Sequence, residues 1–276
     1  MPVSVLILTL NEEVNLPGCL ESVAWSDDIV VFDSFSMDGT VEIARAAGAR
    51  VIQRKFDNWS AHQNWAVQNI KFKYPWVYYT DADERVPPAL AQEILSVTSA
   101  PDRPEAAYRL RVQHILFGKW VKHSSLYPTW VLRLFRPERI GWERLVNPVA
   151  VVDGPVGRLD GHFEHHSFNK GLGEWFDKHN KYSTGEAREL IRSGTERIDW
   201  GGIVCREAAR RRKALKHLAF RTPGRPVLLF LFMYFFKMGF LDGRAGLIYC
   251  TLRAIYEFMI DLKVKELRRR KKGLPI

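Results

Sequence analysis

The apolar positions of the first hundred residues fall into short unbroken runs, separated by stretches of helix length in which apolar and polar positions mix. Residues 3–10 ("VSVLILTL"), 29–32, 50–52 and 76–80 read as strands, rich in β-branched, leucine and aromatic side chains. Residues 16–23, 40–47 and 59–69 between them, and 88–97 after them, read as helices. Strands that are apolar throughout, rather than alternating, belong to a sheet covered on both faces. The expected fold class is therefore α/β with a mostly parallel sheet. In such sheets ligands bind outside the carboxyl ends of the strands.

The strand ends carry the polar residues. Leu10 runs into Asn11 and Glu12, Phe32 into Asp33, and Thr80 into Asp81 and Asp83. In "DSFSMDGT", Asp38 or Thr40 can cap the helix that follows, whereas Asp33 ends an apolar run with no basic neighbour in sequence, which favours ligand binding. In "YYTDADERV", Asp81 and Asp83 form an Asp-x-Asp at a strand end. Two such carboxylates can converge on a hard divalent cation and leave coordination sites for phosphate oxygens and water. The competing reading is a turn opening the next helix; the context of Asp33 and the preceding apolar strand favours Mg2+ or Mn2+. An EF-hand is excluded, because its spaced oxygen ligands and central glycine are missing.

Composition narrows the partners. The chain has 276 residues, 46% of them apolar, enough to bury a full core. Its formal charge of +10 points to an anionic partner: nucleic acid, an anionic membrane surface or a phosphorylated small molecule. Cys19, Cys205 and Cys250 are too few and too scattered for a disulfide framework or a zinc motif, so a reducing compartment is expected. A nucleotidyltransferase would also use paired aspartates and a metal, but the glycine-rich basic loop expected after its first strand is missing from "TLNEEVNLPG". A nucleic-acid-binding protein is disfavoured, because the basic residues gather around apolar C-terminal segments instead of interleaving with aromatics; no nucleic acid is expected as partner.

"SVLILTLNEEVNLPGCLESV", "DDIVVFDSFSMDGTVEIARAAGARV", "DADERV" and, much later, "GFLDGRAGL" together resemble the family 2 glycosyltransferases, in the branch that includes the lipopolysaccharide-core β-glucosyltransferases. The resemblance implies a GT-A fold with a mixed, mostly parallel sheet, a nucleotide-sugar donor that is commonly UDP-linked, and inversion at the anomeric carbon. It places Thr9, Asn11 and Glu12 beside the nucleoside, Asp33 on the base, Asp81 at the ribose and metal, and Asp83 on the metal. Related members carry Val-His-Glu on the acceptor side, where this chain has Val146, Asn147 and Pro148. The general base is therefore sought in Glu143, then Asp160 and Glu164, each of which can equally be a surface acid paired with a nearby arginine. In "SAHQNWA" the lysine or arginine common in relatives is missing. His165 in "GHFEHH" is the candidate to complete the metal site, against the reading of an interfacial histidine.

Residues 1–170 are thus expected to form a catalytic domain, with a donor half over about 1–100 and an acceptor half over about 101–170. Residues 171–276 read as a helical, basic and apolar appendage. "VLLFLFMYFFKMGFL", residues 227–241, falls short of the roughly 20 residues a spanning helix needs. With residues 245–260 it reads as a helical hairpin in the membrane interface, flanked by the basic clusters 210–213 and 268–272. Docking on protein is the alternative. The expected acceptor is lipid-linked or a surface polysaccharide, reached at the cytoplasmic face of the inner membrane.

Overall fold

The computed structural model describes residues 3–100, 103–143, 148–193, 199–207 and 224–276, with isolated positions between the last two ranges. Val146 and Asn147, and part of the 210–213 basic cluster, lie outside the described residues. The chain forms two compact units. The first comprises residues 1–120 and 127–170, the second residues 121–126 and 171–276.

In the first unit, β1 (Ser4–Thr9), β2 (Ile29–Asp33), β3 (Arg50–Gln53) and β4 (Val77–Asp81) lie parallel in the order β3-β2-β1-β4. Every residue of β1 is buried, as its unbroken apolar run requires. Val5, Ile7 and Tyr78 join one core, while Leu6, Leu8, Phe32 and Tyr79 join the other. The crossover helices are α1 (Leu16–Ser22), α2 (Thr40–Ala46) and α3 (Trp59–Asn69), with α4 (Pro88–Ser99) after the sheet turns. Asn58 caps α3 by accepting from the Ala61 amide.

Beyond β4 the sheet becomes mixed. β5 (Glu84–Arg85), β6 (Ala107–Leu116), β8 (Thr129–Phe135) and β11 (Val156–His165) extend it in the order β4-β8-β6-β11-β5, and β7 (Lys119–Trp120) pairs with β6. β9 (Ile140–Glu143) and β10 (Val149–Val152) form a separate antiparallel pair. Because connections run outward from β1 in both directions, the switch in strand order falls between β1 and β4, the place where α/β sheets bind ligands at the carboxyl ends of their strands.

The second unit is helical: Gly171–Ser193, a short turn at Trp200–Ile203, Arg225–Leu231 leading into a π-helical turn Phe232–Phe236, a 3-10 turn Gly239–Asp242, and a long helix Gly243–Lys271. The expected hairpin is instead a bent pair, with 73° between its arms. A π turn and a 3-10 turn in succession interrupt the helical ladder, and Met238 and Gly243 both take positive φ. "GFLDGRAGL" builds this elbow. Asp242 is buried and its Oδ2 accepts from the amides of His123 and Ser124 and from the Ser124 hydroxyl, at 3.0, 2.8 and 2.6 Å. A Cβ on Gly246 would stand 2.2 Å from the Gly239 carbonyl oxygen, so only glycine permits this approach. The motif thus fastens residues 121–126, an excursion between β7 and β8, to the helices of this unit.

Candidate active site

The ends of β1 and β2 are bound together through Asp33. It is fully buried, and its two oxygens accept from Thr9 Oγ1 (2.9 Å), the Ser36 amide (2.9 Å), Gln53 Nε2 (2.9 Å) and the Ser36 hydroxyl. Burial works against its charge, but the hydrogen bonds from Ser36, Gln53 and Thr9 outweigh burial and hold its pKa below the ordinary range. Ser36 also accepts from the Asn11 amide at 2.8 Å, and Asn11, at φ 56°, accepts from the Met37 amide at 2.8 Å. Asp33 therefore ties the end of β1 to the loop that follows β2.

Glu12 stands at the mouth of the same edge. Its carboxylate accepts from Asn15 Nδ2 at 2.8 Å and pairs with Lys170 Nζ at 3.0 Å. Burial raises its pKa, against Asn15 and Lys170, and it feels the charge of Asp83. Lys170 follows the turn after β11 and is close in space to Glu12 across 158 positions of sequence.

The Asp-x-Asp turn joins β4 to β5. Asp83 faces His165, with Oδ2 to Nε2 at 3.2 Å, and the Asp83 carbonyl accepts from the His166 amide at 2.8 Å. Burial disfavours the charged imidazole, but Asp83 above all, with Glu84 and Asp81, raises the His165 pKa. Asp81 turns elsewhere. Its Oδ2 accepts from Arg133 Nη2 at 2.8 Å and its Oδ1 from the Tyr79 hydroxyl at 3.2 Å. Arg133 also pairs with the buried Glu84, and its guanidinium lies 4.6 Å over the Tyr79 ring. Burial pushes Glu84 up to about 7, although Arg133 favours its ionised form.

The expected ligand set Asp81, Asp83 and His165 is thus divided. Among the described residues no three His, Cys, Asp or Glu side chains form a preformed metal cage. Asp83 and His165 fit a divalent cation as an open pair, both partly exposed, since Mg2+-type sites take one or two carboxylates and complete their shell with phosphate oxygens and water. The three candidate bases do not join this cluster. Glu143 ends β9 in the separate two-stranded sheet, and Asp160 is exposed beside the β11 register shift, where Glu93 holds the amides of residues 160 and 161. Glu164 pairs with His166 at 3.0 Å, and strand alternation turns it to the face opposite His165.

The missing cation of "SAHQNWA" also has a structural account. His62 stacks on Phe32 at 4.2 Å, Gln63 donates to the Tyr79 hydroxyl, and Asn64 exchanges two hydrogen bonds with the Trp142 backbone, at 2.7 and 2.8 Å. These residues bind α3 to the sheet and to β9. The sequence gives no site role to Lys170, Glu84 or Ser36, and Arg133 counts there only among the arginines near the candidate bases. An arginine inside the apolar run "TWVLRLF" was the one signal available for it.

The family model for Glycosyl transferase family 2 matches residues 4–160, more than half the chain. The chain belongs to this family. The glycosyltransferase is 27% identical to the lipopolysaccharide core biosynthesis glycosyltransferase LpsC of Rhizobium meliloti (strain 1021), over 96% of this chain and 92% of that protein. An uncharacterized glycosyltransferase of Rickettsia typhi (strain ATCC VR-144 / Wilmington) is 24% identical, over 96% and 87%. Among solved structures, the mannosyltransferase PcManGT from Pyrobaculum calidifontis, in complex with GDP-Man and Mn2+, superposes with a TM-score of 0.51 at 16% identity, over 96% of this chain and 87% of its own. The fold is GT-A-like, and membership of the family decides against a nucleotidyltransferase or a nucleic-acid-binding protein.

Proposed function

We propose that this glycosyltransferase transfers a sugar, with inversion, from a UDP-sugar to a lipid-linked or surface-polysaccharide acceptor, at the cytoplasmic face of the inner membrane. The observation that carries the reading is the Asp83–His165 pair with the Glu12–Lys170 pair at the β1/β4 switch point, where a diphosphate would lie. Asp83 and His165 would hold Mg2+ or Mn2+. When bound, the cation neutralises the diphosphate as it leaves. Lys170 meets the same charge from the other side, releasing Glu12 as it does so. Arg133 keeps Asp81 and the buried Glu84 oriented. The LpsC relative supports a lipopolysaccharide-type acceptor, and PcManGT, which binds GDP-Man and Mn2+, supports a metal-assisted donor site.

Among the three candidate bases, all of which stand apart from the Asp83–His165 cluster, we propose Glu143 for the attacking hydroxyl. It is exposed at the end of β9, a strand that Asn64 ties to the donor-side helix α3. The test is calorimetric titration with UDP, GDP, ADP and CDP in Mn2+, followed by turnover of the donor chosen. UDP is expected to bind at least tenfold more tightly than the others, and Glu143→Gln to keep that affinity while turnover falls at least a hundredfold. Preference for GDP would overturn the donor, and full turnover by Glu143→Gln the base.

A further inference from the structure

The elbow of the second unit is rigid on its inner side and apolar on its outer side. Arg225 ties its two arms together through ion pairs to Glu257 and Asp261, both at 2.8 Å. Met233, Gly239, Asp242 and Cys250 are buried within it. Yet Leu228, Leu231, Phe235, Phe236, Phe240 and Leu241 stand exposed, Phe236 at 77% of its surface. A soluble surface scatters such residues singly; a contiguous set on a fixed turn marks an interaction site.

The long helix extends the pattern. At 100° per residue, Leu247, Phe258 and Leu262 share one stripe, and all three are exposed. Arg244 lies at one end of that stripe, with Lys265 and Arg269 at the other, and the last turn adds Arg268, Arg270 and Lys271. Lys237 is exposed at the elbow itself. An apolar stripe with cations at both ends matches a bilayer interface, where acyl chains lie beneath anionic headgroups, better than it matches a second protein surface. Among the described residues no single helix is long and apolar enough to cross a membrane.

We infer that the 225–241 elbow inserts its exposed leucines and phenylalanines into one leaflet of an anionic phospholipid bilayer, with the Gly243–Lys271 helix lying along the headgroups. This rests on the membrane-surface part of the reading above and names the surface that provides it. Already ordered in the fold, the elbow does not pay the full entropy of ordering on insertion.

The test is flotation of the full chain with vesicles of phosphatidylglycerol and phosphatidylcholine, and with phosphatidylcholine alone. The chain is expected to float with the anionic vesicles, more weakly with the neutral ones, and less as salt rises. The variant Phe235→Glu/Phe236→Glu/Leu241→Glu should lose at least tenfold in partitioning while keeping its circular dichroism melt. If that variant unfolds, Leu228→Glu alone takes its place, with at least a threefold loss expected. Absence of flotation by the wild type, or flotation unchanged in the folded variant, would overturn the inference. So would a wild-type dimer that the variant converts to a monomer, since the surface would then belong to a second copy. UDP titration of the wild type separates these results from a failure of the donor-site reading.

Discussion

Lys170 is where side-chain placement says most about the chemistry. The α3 residues that stand in the cation position are occupied by packing, Arg133 by Asp81 and Glu84, and Arg85 by the carbonyls of Ala82, Glu84 and Asn15. Lys170 pairs with Glu12 at the mouth, where an incoming diphosphate offers more charge. A charged hydrogen bond of this kind is worth roughly 1.5–3 kcal/mol. Lys170→Met is accordingly expected to weaken UDP binding about tenfold or more and to leave uridine binding unchanged, by parallel titrations. Equal loss for both would show a structural role instead. Nothing in the local sequence "SFNK" announces this residue, because its meaning comes from a contact with Glu12 that only the completed sheet creates. Asp81 and Asp83 stand out in the sequence as an acidic pair, because acids that close an apolar strand have few structural uses. Asp33 stands out in the sequence as well, and the structure adds the four hydrogen bonds that hold its carboxylate in the loop.

At the scale of elements, the parallel half of the sheet was readable because burial on both faces writes itself as continuous apolar runs. The strand order of the mixed half was not. β6, β8 and β11 carry arginines, histidines and glutamine among their apolar residues, and their neighbours are set by long-range pairing. The C-terminal segments were recognised as helical and apolar, yet the bend between them depends on backbone contacts at glycines. Gly246→Ala tests that account. With a Cβ 2.2 Å from a backbone oxygen, the helix must shift, and a loss of about 2–4 kcal/mol in the unfolding of this unit is expected by urea denaturation. A loss under 0.5 kcal/mol would mean that the elbow adapts.

Across the whole molecule, buried titratable groups pull stability in opposite directions with pH. Burial pushes His62 down to about 4; it accepts from Arg54 on Nδ1 and so donates from Nε2 to Ser34, which requires the neutral ring. Its unfolded pKa is near 6.5, so between about 6.5 and 4 the unfolded chain binds the extra proton and stability falls on acidification. Glu84, raised to about 7, acts in the opposite sense, its contribution being lost as pH rises through that value. The net curve therefore mixes the two, and a difference measurement isolates one. The stability advantage of wild type over His62→Gln is expected to shrink by about 2 kcal/mol from pH 8 to pH 5 in urea midpoints. An advantage independent of pH would show that His62 titrates normally.

The measurement closest to the central claim is titration of the purified glycosyltransferase with UDP, with and without Mn2+, repeated on Asp83→Ala. The wild type is expected to bind UDP at least tenfold more tightly with the metal, and the variant to lose that increment while keeping its thermal melt. Metal-independent binding, or an increment preserved without the Asp83 carboxylate, would contradict a cation held by Asp83 and His165 at the switch point.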